Sequence, residues 1–246
     1  MPQTQRTMLV TGGSRGIGAG IARAAHDAGW TVVITYERSR DAAEALVSEA
    51  VAALALQSDA GSEDSVVATF ADVLKRFGRL DALVNNAGIS GPYGTIDTVN
   101  TAELDRLWAV NVSGPFFTCR EAVRHMSTAN GGAGGAIVNI TSKAAVLGGS
   151  NEWIHYAASK AAVEALTTGL AKEVATQGIR VNAVRPGLIE TDFAIEITPG
   201  RFDRIRPTIP MQRCGTVEEV GAAVVWLCSD AASYTTGTFL DVAGGR

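Results

Sequence analysis

A short apolar run, Thr7-Met-Leu-Val-Thr11, passes straight into Gly12-Gly-Ser-Arg-Gly-Ile-Gly18 and then into an alanine-rich helical stretch that Gly29 stops. Strand, glycine turn and helix in immediate succession constrain the fold more than any other stretch. Glycines at such a turn permit a tight bend and a close approach of backbone to a ligand. The helix that follows opens with free N–H groups suited to an anion. The glycines Gly12, Gly16 and Gly18 are spaced Gly-x-x-x-Gly-x-Gly, not the commoner G-x-G-x-x-G.

The rest of the chain repeats the alternation. Further strands are expected at residues 31–36, 54–56, 81–85, 136–140, 180–184 and 238–241. Helices are expected at about 39–52, 63–77, 101–112, 114–128, 155–177 and 217–229. Strands that are continuous apolar runs, separated by helices, predict an α/β fold: a doubly wound parallel sheet of seven strands covered on both faces. No Pro- or Ser-rich linker or internal repeat divides the chain, so residues 1–246 are read as one domain. The least regular segment is 188–213, with Pro199, Pro207 and Pro210. Long loops of this kind often act as lids.

Composition removes several classes of function. With 246 residues, 46% of them hydrophobic, the chain can bury an ample core. A net charge of -4 and the absence of any Lys/Arg run exclude an electrostatic footprint for nucleic acid. No apolar run reaches the ~18–20 residues that span a bilayer, and the N-terminal residues carry no apolar signal core. Cys119, Cys214 and Cys228 are scattered and odd in number, which suits reduced thiols, no metal site and a cytoplasmic protein. The glycosylation-like triplets at Asn111 and Asn139 are read as chance matches.

Tyr156 and Lys160 stand four residues apart on one helical face. A free phenol titrates near ~10 and is a poor proton carrier at neutral pH; a neighbouring ammonium favours its phenolate. The glycine turn also fits the hydrolase pattern G-x-S-x-G around Ser14. A hydrolase would need a later acid and then a histidine. The histidines are His26, His125 and His155, and only His155, read as a pocket-edge or surface residue, is a plausible base.

The glycine turn, Asn85-Asn-Ala-Gly88, Ser142 and Tyr156-x-x-x-Lys160, in that order, resemble the short-chain dehydrogenase/reductase family, and the likeness extends to Asp241-Val-Ala-Gly-Gly245. The resemblance implies a Rossmann-type sheet binding NAD(P). It makes Tyr156 the general acid–base and Lys160 the group that lowers the Tyr156 pKa and holds the nicotinamide ribose. Ser142 would bind the substrate oxygen, and Asn111 would kink a helix and seat a water beside the lysine. The dinucleotide would lie against Gly12, Ser14, Arg15, Gly16, Ile17 and Gly18, then Asn86, Ala87 and Gly88, with Asp59 at the adenine. Pro186, Gly187, Ile189 and Thr191 would stand beside the nicotinamide.

In NAD-specific sites of this type an acid usually ends the second strand. Here that position is read as the uncharged Tyr36, with Arg15 and Arg38 nearby for a 2′-phosphate, so NADP(H) is expected as the preferred cofactor. If the strand ends one residue later, Glu37 takes the ribose and NAD(H) is favoured. The reading is a hydride-transferring oxidoreductase for a small carbonyl or secondary alcohol. Three others stay open: a 3-oxoacyl-[acyl-carrier-protein] reductase with Arg120 and Arg124 as docking cations, an NAD-dependent sugar or alcohol dehydrogenase, and a dinucleotide-binding redox sensor. Residues 144–155 and 188–213, with Val146, Leu147, Trp153, Ile154 and Phe193, should shape the substrate pocket. The apolar faces of 101–128 and 155–177 predict a homotetramer.

Overall fold

The computed structural model describes residues 6–191 and 200–246. Phe193 and Pro199 lie outside the described residues. Seven parallel strands form one sheet in the order 3-2-1-4-5-6-7. They are β1 (Thr7–Val10), β2 (Thr31–Tyr36), β3 (Leu54–Gln57), β4 (Ala82–Asn85), β5 (Gly135–Ile140), β6 (Ile179–Pro186) and β7 (Phe239–Val242). The strand order reverses between β1 and β4, and in such sheets ligands bind beyond the carboxyl ends of the strands at that point.

Successive strand residues feed two cores. Met8, Val10, Val32, Ile34, Ala82 and Val84 pack under α1 (Gly16–Asp27), α2 (Arg40–Ser48) and α9 (Val217–Cys228). Leu9, Val33, Leu83, Ile137 and Val181 face α3 (Glu63–Phe77), α5 (Gly114–Met126) and α7 (Ile154–Glu173). Both faces being covered explains why the strands are unbroken apolar runs. One polar chain crosses the second core: Thr118 donates to Asn85 at 2.6 Å, Asn85 to Asn139 at 2.9 Å, and Asn139 to Thr167 at 2.8 Å. Asn111 and Asn139 are fully buried, so neither is open to glycosylation in the folded chain.

The boundaries differ from expectation where local chemistry intervenes. The helix expected at 101–112 stops as α4 (Thr101–Trp108) and continues as a π-helical turn, Ala109–Ser113, before α5. Pro115 has no N–H to give the Asn111 carbonyl, so the regular ladder fails there. Two short helices went unread in the sequence: α6 (Ala144–Leu147), and α8 (Arg201–Ile205) inside the segment read as irregular. β6 is longer than expected, and β7 begins one residue later. Among the described residues no helix is long and apolar enough to cross a membrane, and no His/Cys/Asp/Glu group suits a metal. The three cysteines are free and buried.

Candidate active site

The carboxyl ends of β1, β2, β4, β5 and β6 open into one cavity of about 710 Å³, lined by Gly12, Tyr36, Asp59, Asn86, Ser142, Tyr156, Lys160 and Thr191 among others. Gly12 holds a φ of +61°, and a Cβ there would stand 2.9 Å from the Ala87 Cα. At Gly18 a Cβ would meet the Gly12 carbonyl at 2.3 Å and the Asn86 amide nitrogen at 2.5 Å. The turn therefore closes only with hydrogen in both places. Asn86, just past β4, clamps it, donating Nδ2 to the Thr11 and Gly12 carbonyls at 3.0 and 2.9 Å. The Thr11 hydroxyl accepts from the Asn86 and Ala87 N–H groups, each at 3.0 Å. Arg15 is the N-cap residue of α1, whose first turn carries no acid. This cradle, with an unopposed helix N-terminus behind it, fits a pyrophosphate.

At the other end of the cavity, α7 carries Tyr156 and Lys160 beneath the loop that follows β5. Burial pushes the Tyr156 phenol above its ordinary value; a hydrogen bond with Ser142 and the charge of Arg201 pull the other way and do not prevail. Burial pushes Lys160 down to about 8. Its ammonium donates to the Ile140 carbonyl at 2.8 Å and lies 5.7 Å from the Tyr156 ring centroid. Asn111, turned inward by the π-helical turn, accepts from the Ile89 N–H at 2.9 Å and donates to the Ile89 carbonyl at 2.8 Å and Ser159 at 3.0 Å. A Cβ on Gly88 would stand 3.3 Å from Asn111 Oδ1 and 3.4 Å from Lys160 Nζ, so both groups converge over that glycine.

Pro186 ends β6, and Gly187 is held by the Val242 carbonyl at 2.9 Å. Ile189 bridges to Gly215, and Thr191 lies over Gly16. At the end of the cavity away from Tyr156, β2 stops at Tyr36, as read from the sequence, and the phenol is largely buried in the core. Arg38 is 87% exposed beside it. Arg106, which no motif singled out, links two acids here: its Nη1 donates to both Asp59 oxygens at 3.0 Å and its Nη2 to Glu37 Oε1 at 3.1 Å. Burial alone would raise the Asp59 carboxyl, but the bonds from Arg106 and the Gly61 N–H hold it below its usual range.

Some expectations need correction. His155 is buried rather than at a pocket edge or surface, and among the described residues its Nε2 has no hydrogen-bond partner. It presses against Gly91, where a Cβ would lie 2.7 Å from that nitrogen. Arg120 is committed to Glu63 and Glu121, and Arg124 to Glu121, so neither is a bare cation for an acidic carrier.

Residues 12–246 match a family model described as enoyl-(acyl carrier protein) reductase. The uncharacterized oxidoreductase YgfF of Escherichia coli (strain K12) is 49% identical over 97% of this chain and 98% of its own length. The chain belongs to the short-chain dehydrogenase/reductase family. Its kin are NAD(P)-dependent oxidoreductases, and this chain is such an enzyme. A short-chain dehydrogenase from Burkholderia cenocepacia J2315, solved in complex with NADP, superposes with a TM-score of 0.89 at 36% identity, covering 99% of this chain and 98% of that one. The 3-ketoacyl-(acyl-carrier-protein) reductase from Brucella melitensis, complexed with NADH, gives 0.90 at 35% identity, with 98% of each chain covered. Family members of this shape thus hold either nicotinamide dinucleotide.

Proposed function

We propose that this enzyme transfers hydride between NADP(H) and a small carbonyl or secondary alcohol, with Tyr156 as the general acid–base. The observation that carries the reading is the convergence of Ser142, Tyr156 and Lys160 on one wall of the cavity whose other end is the glycine cradle. A bound nicotinamide supplies the hydride. The chain's own residues handle the oxygen and its proton. Tyr156, raised by burial, carries its proton at neutral pH and is set to give it to a carbonyl oxygen. Ser142 offers a second hydrogen bond to that oxygen as negative charge grows there. Lys160, protonated at neutral pH, stands ready to hold ribose hydroxyls and to stabilise the phenolate. Asn111 fixes the backbone of the Gly88–Ile89 loop next to it.

NADP(H) is favoured because Tyr36 offers the adenosine ribose no charge, Arg15 and Arg38 stand near it, and Glu37 is bound to Arg106. The acyl-carrier reading has the likeness to the Brucella enzyme behind it. The commitment of Arg120 and Arg124 to glutamates weighs against it. The test is loss of NADPH absorbance across ketones, aldehydes, sugars and 3-oxoacyl thioesters, with kcat/KM for both cofactors. Arg15→Ala plus Arg38→Ala should collapse the NADP(H) preference; NAD(H) preference in the wild type would refute that part.

We also propose a homotetramer. Phe116 and Trp108 are exposed on the α4–α5 side, and Ala158, Ala161 and Ala165 are exposed along α7. Such a face is seldom left bare in a monomer. Light scattering that gives a stable monomer at micromolar concentration would overturn this.

A further inference from the structure

Opposite the cradle, the cavity wall carries a charged cluster that the hydride-transfer reading does not use. Trp153, just before α7, is fixed in place: its Nε1 donates to the Gly91 carbonyl at 3.3 Å, and Tyr93 meets its ring edge-on with centroids 5.0 Å apart. The Arg201 guanidinium from α8 lies over this indole, 5.0 Å from the ring centroid. Its Nε and Nη2 both turn to Glu152 Oε2, at 3.3 and 2.9 Å. Arg204 takes the other oxygen of the same carboxylate at 2.8 Å. Two guanidinium groups therefore share one acid, and the cluster keeps one positive charge in excess among the described residues.

Arg201 is the cation of the cluster that faces the cavity. Arg201 lines the cavity with Tyr156, Ser142, Trp153 and Glu152, whereas Arg204 does not and is 60% exposed to water. The Arg201 side chain is only 20% exposed. Its guanidinium spends one edge on Glu152; among the described residues its Nη1 has no hydrogen-bond partner. A half-buried planar cation on an aromatic ring, with a donor edge toward a substrate cavity, matches a carboxylate best, because paired charge-assisted N–H···O bonds suit that geometry. The other lysine of this wall, Lys143, is bound to Asp241 at 2.5 Å and offers no such edge.

We propose that Arg201 is a specificity-determining residue and that the substrate is a carbonyl compound, or the corresponding alcohol, bearing a carboxylate on the side away from the reacting carbon. This rests on the hydride-transfer reading of the same cavity. It commits to more than that reading: a neutral ketone would be a poorer substrate than its carboxylate counterpart.

The test uses matched ketones with the whole enzyme and NADPH: 4-oxopentanoate against its methyl ester, and 3-oxobutyrate against its methyl ester. The expected result is a kcat/KM ratio of acid to ester of at least about tenfold in the wild type. Arg201→Met should bring that ratio to about one, chiefly by raising KM for the acid, and Arg201→Lys should leave an intermediate ratio. Retained binding of NADP+ shows that the variants are folded. Binding has its own readout, since Trp153 lies under the guanidinium. Saturable quenching of tryptophan fluorescence by 4-oxopentanoate, weak with the ester and lost in Arg201→Met, supports the subsite even where turnover is slow. A wild-type ratio of one or below, or a preference that survives Arg201→Met, overturns the proposal while the hydride-transfer reading stands. If no carbonyl compound consumes NADPH or NADH, the hydride-transfer reading fails, and quenching then decides the subsite alone: its absence overturns it.

Discussion

Arg106 grips Asp59 with one nitrogen, 3.0 Å from each carboxylate oxygen, while its other terminal nitrogen reaches Glu37 at 3.1 Å. One guanidinium therefore holds Asp59 in place and neutralises Glu37, the carboxylate next to the end of β2. Removing it should act on two quantities at once. In Arg106→Ala, KM should rise for both cofactors, and the NADP(H)/NAD(H) ratio of kcat/KM should fall by about three- to tenfold, the range of a partly screened charge. Glu37→Gln should move the ratio the other way. Equal ratios in all three proteins would show that Glu37 is silent.

Tyr156→Phe removes a transferable proton and little volume. Turnover should fall by about 10²–10⁴-fold, the usual contribution of a positioned acid or base. The Kd for NADP+, followed by fluorescence, should change by less than about threefold. A variant with wild-type turnover would take the phenol out of the chemistry.

Lys160 gives a pH dependence of stability whose sign can be stated. Its folded value, about 8, lies below its ordinary 10.5. Between those limits the unfolded chain holds more protons than the folded one, so stability rises with pH across that window. Measured against Lys160→Met, which lacks the group, the wild-type Tm should climb from pH 8 to pH 10.5. A difference that stays constant with pH would mean that burial does not weigh on this ammonium.

Gly18→Ala should abolish dinucleotide binding in a chain that still folds. The added methyl would lie 2.3 Å from the Gly12 carbonyl and 2.5 Å from Asn86 Nδ2, so the clamp on the turn must open. NADP+ titration by calorimetry checks it; a Kd within twofold of wild type would show that the turn adapts.

Much of this architecture is written in local pattern. The apolar runs identified every strand of the sheet, because strands buried on both faces need no polar alternation. The glycine turn and the Tyr156–Lys160 spacing marked the two ends of the cavity, because each is a short-range requirement of backbone or helix. What escaped was made by contacts between distant segments. Arg106 meets Asp59 across 47 residues and Glu37 across 69, and nothing beside it on α4 announces either partner. Arg201 and Glu152 lay inside segments recognised only as pocket-shaping. His155 read as peripheral because no motif claimed it, yet the packing of Gly91 encloses it. The π-helical turn depends on Pro115, whose missing donor is visible in the sequence but whose effect on the previous turn is a matter of hydrogen-bond bookkeeping.

That turn joins two parts of the site mechanically. α4 presents Arg106 to Asp59, and Asn111 in the turn holds Ile89 in the loop beside Lys160. Each residue of helix advances the chain by about 100° around its axis. Pro115 withholds its donor whatever the length of the turn, so deleting one residue between Ala109 and Ser113 would shift the register of α4 against α5 without restoring a regular ladder. Arg106 and Asn111 cannot then both face their partners. On the proposed function, the irregularity sets the phase between recognition of the nucleotide and handling of the proton, so a shortened turn should lose NADP+ affinity and turnover together, however well the chain folds.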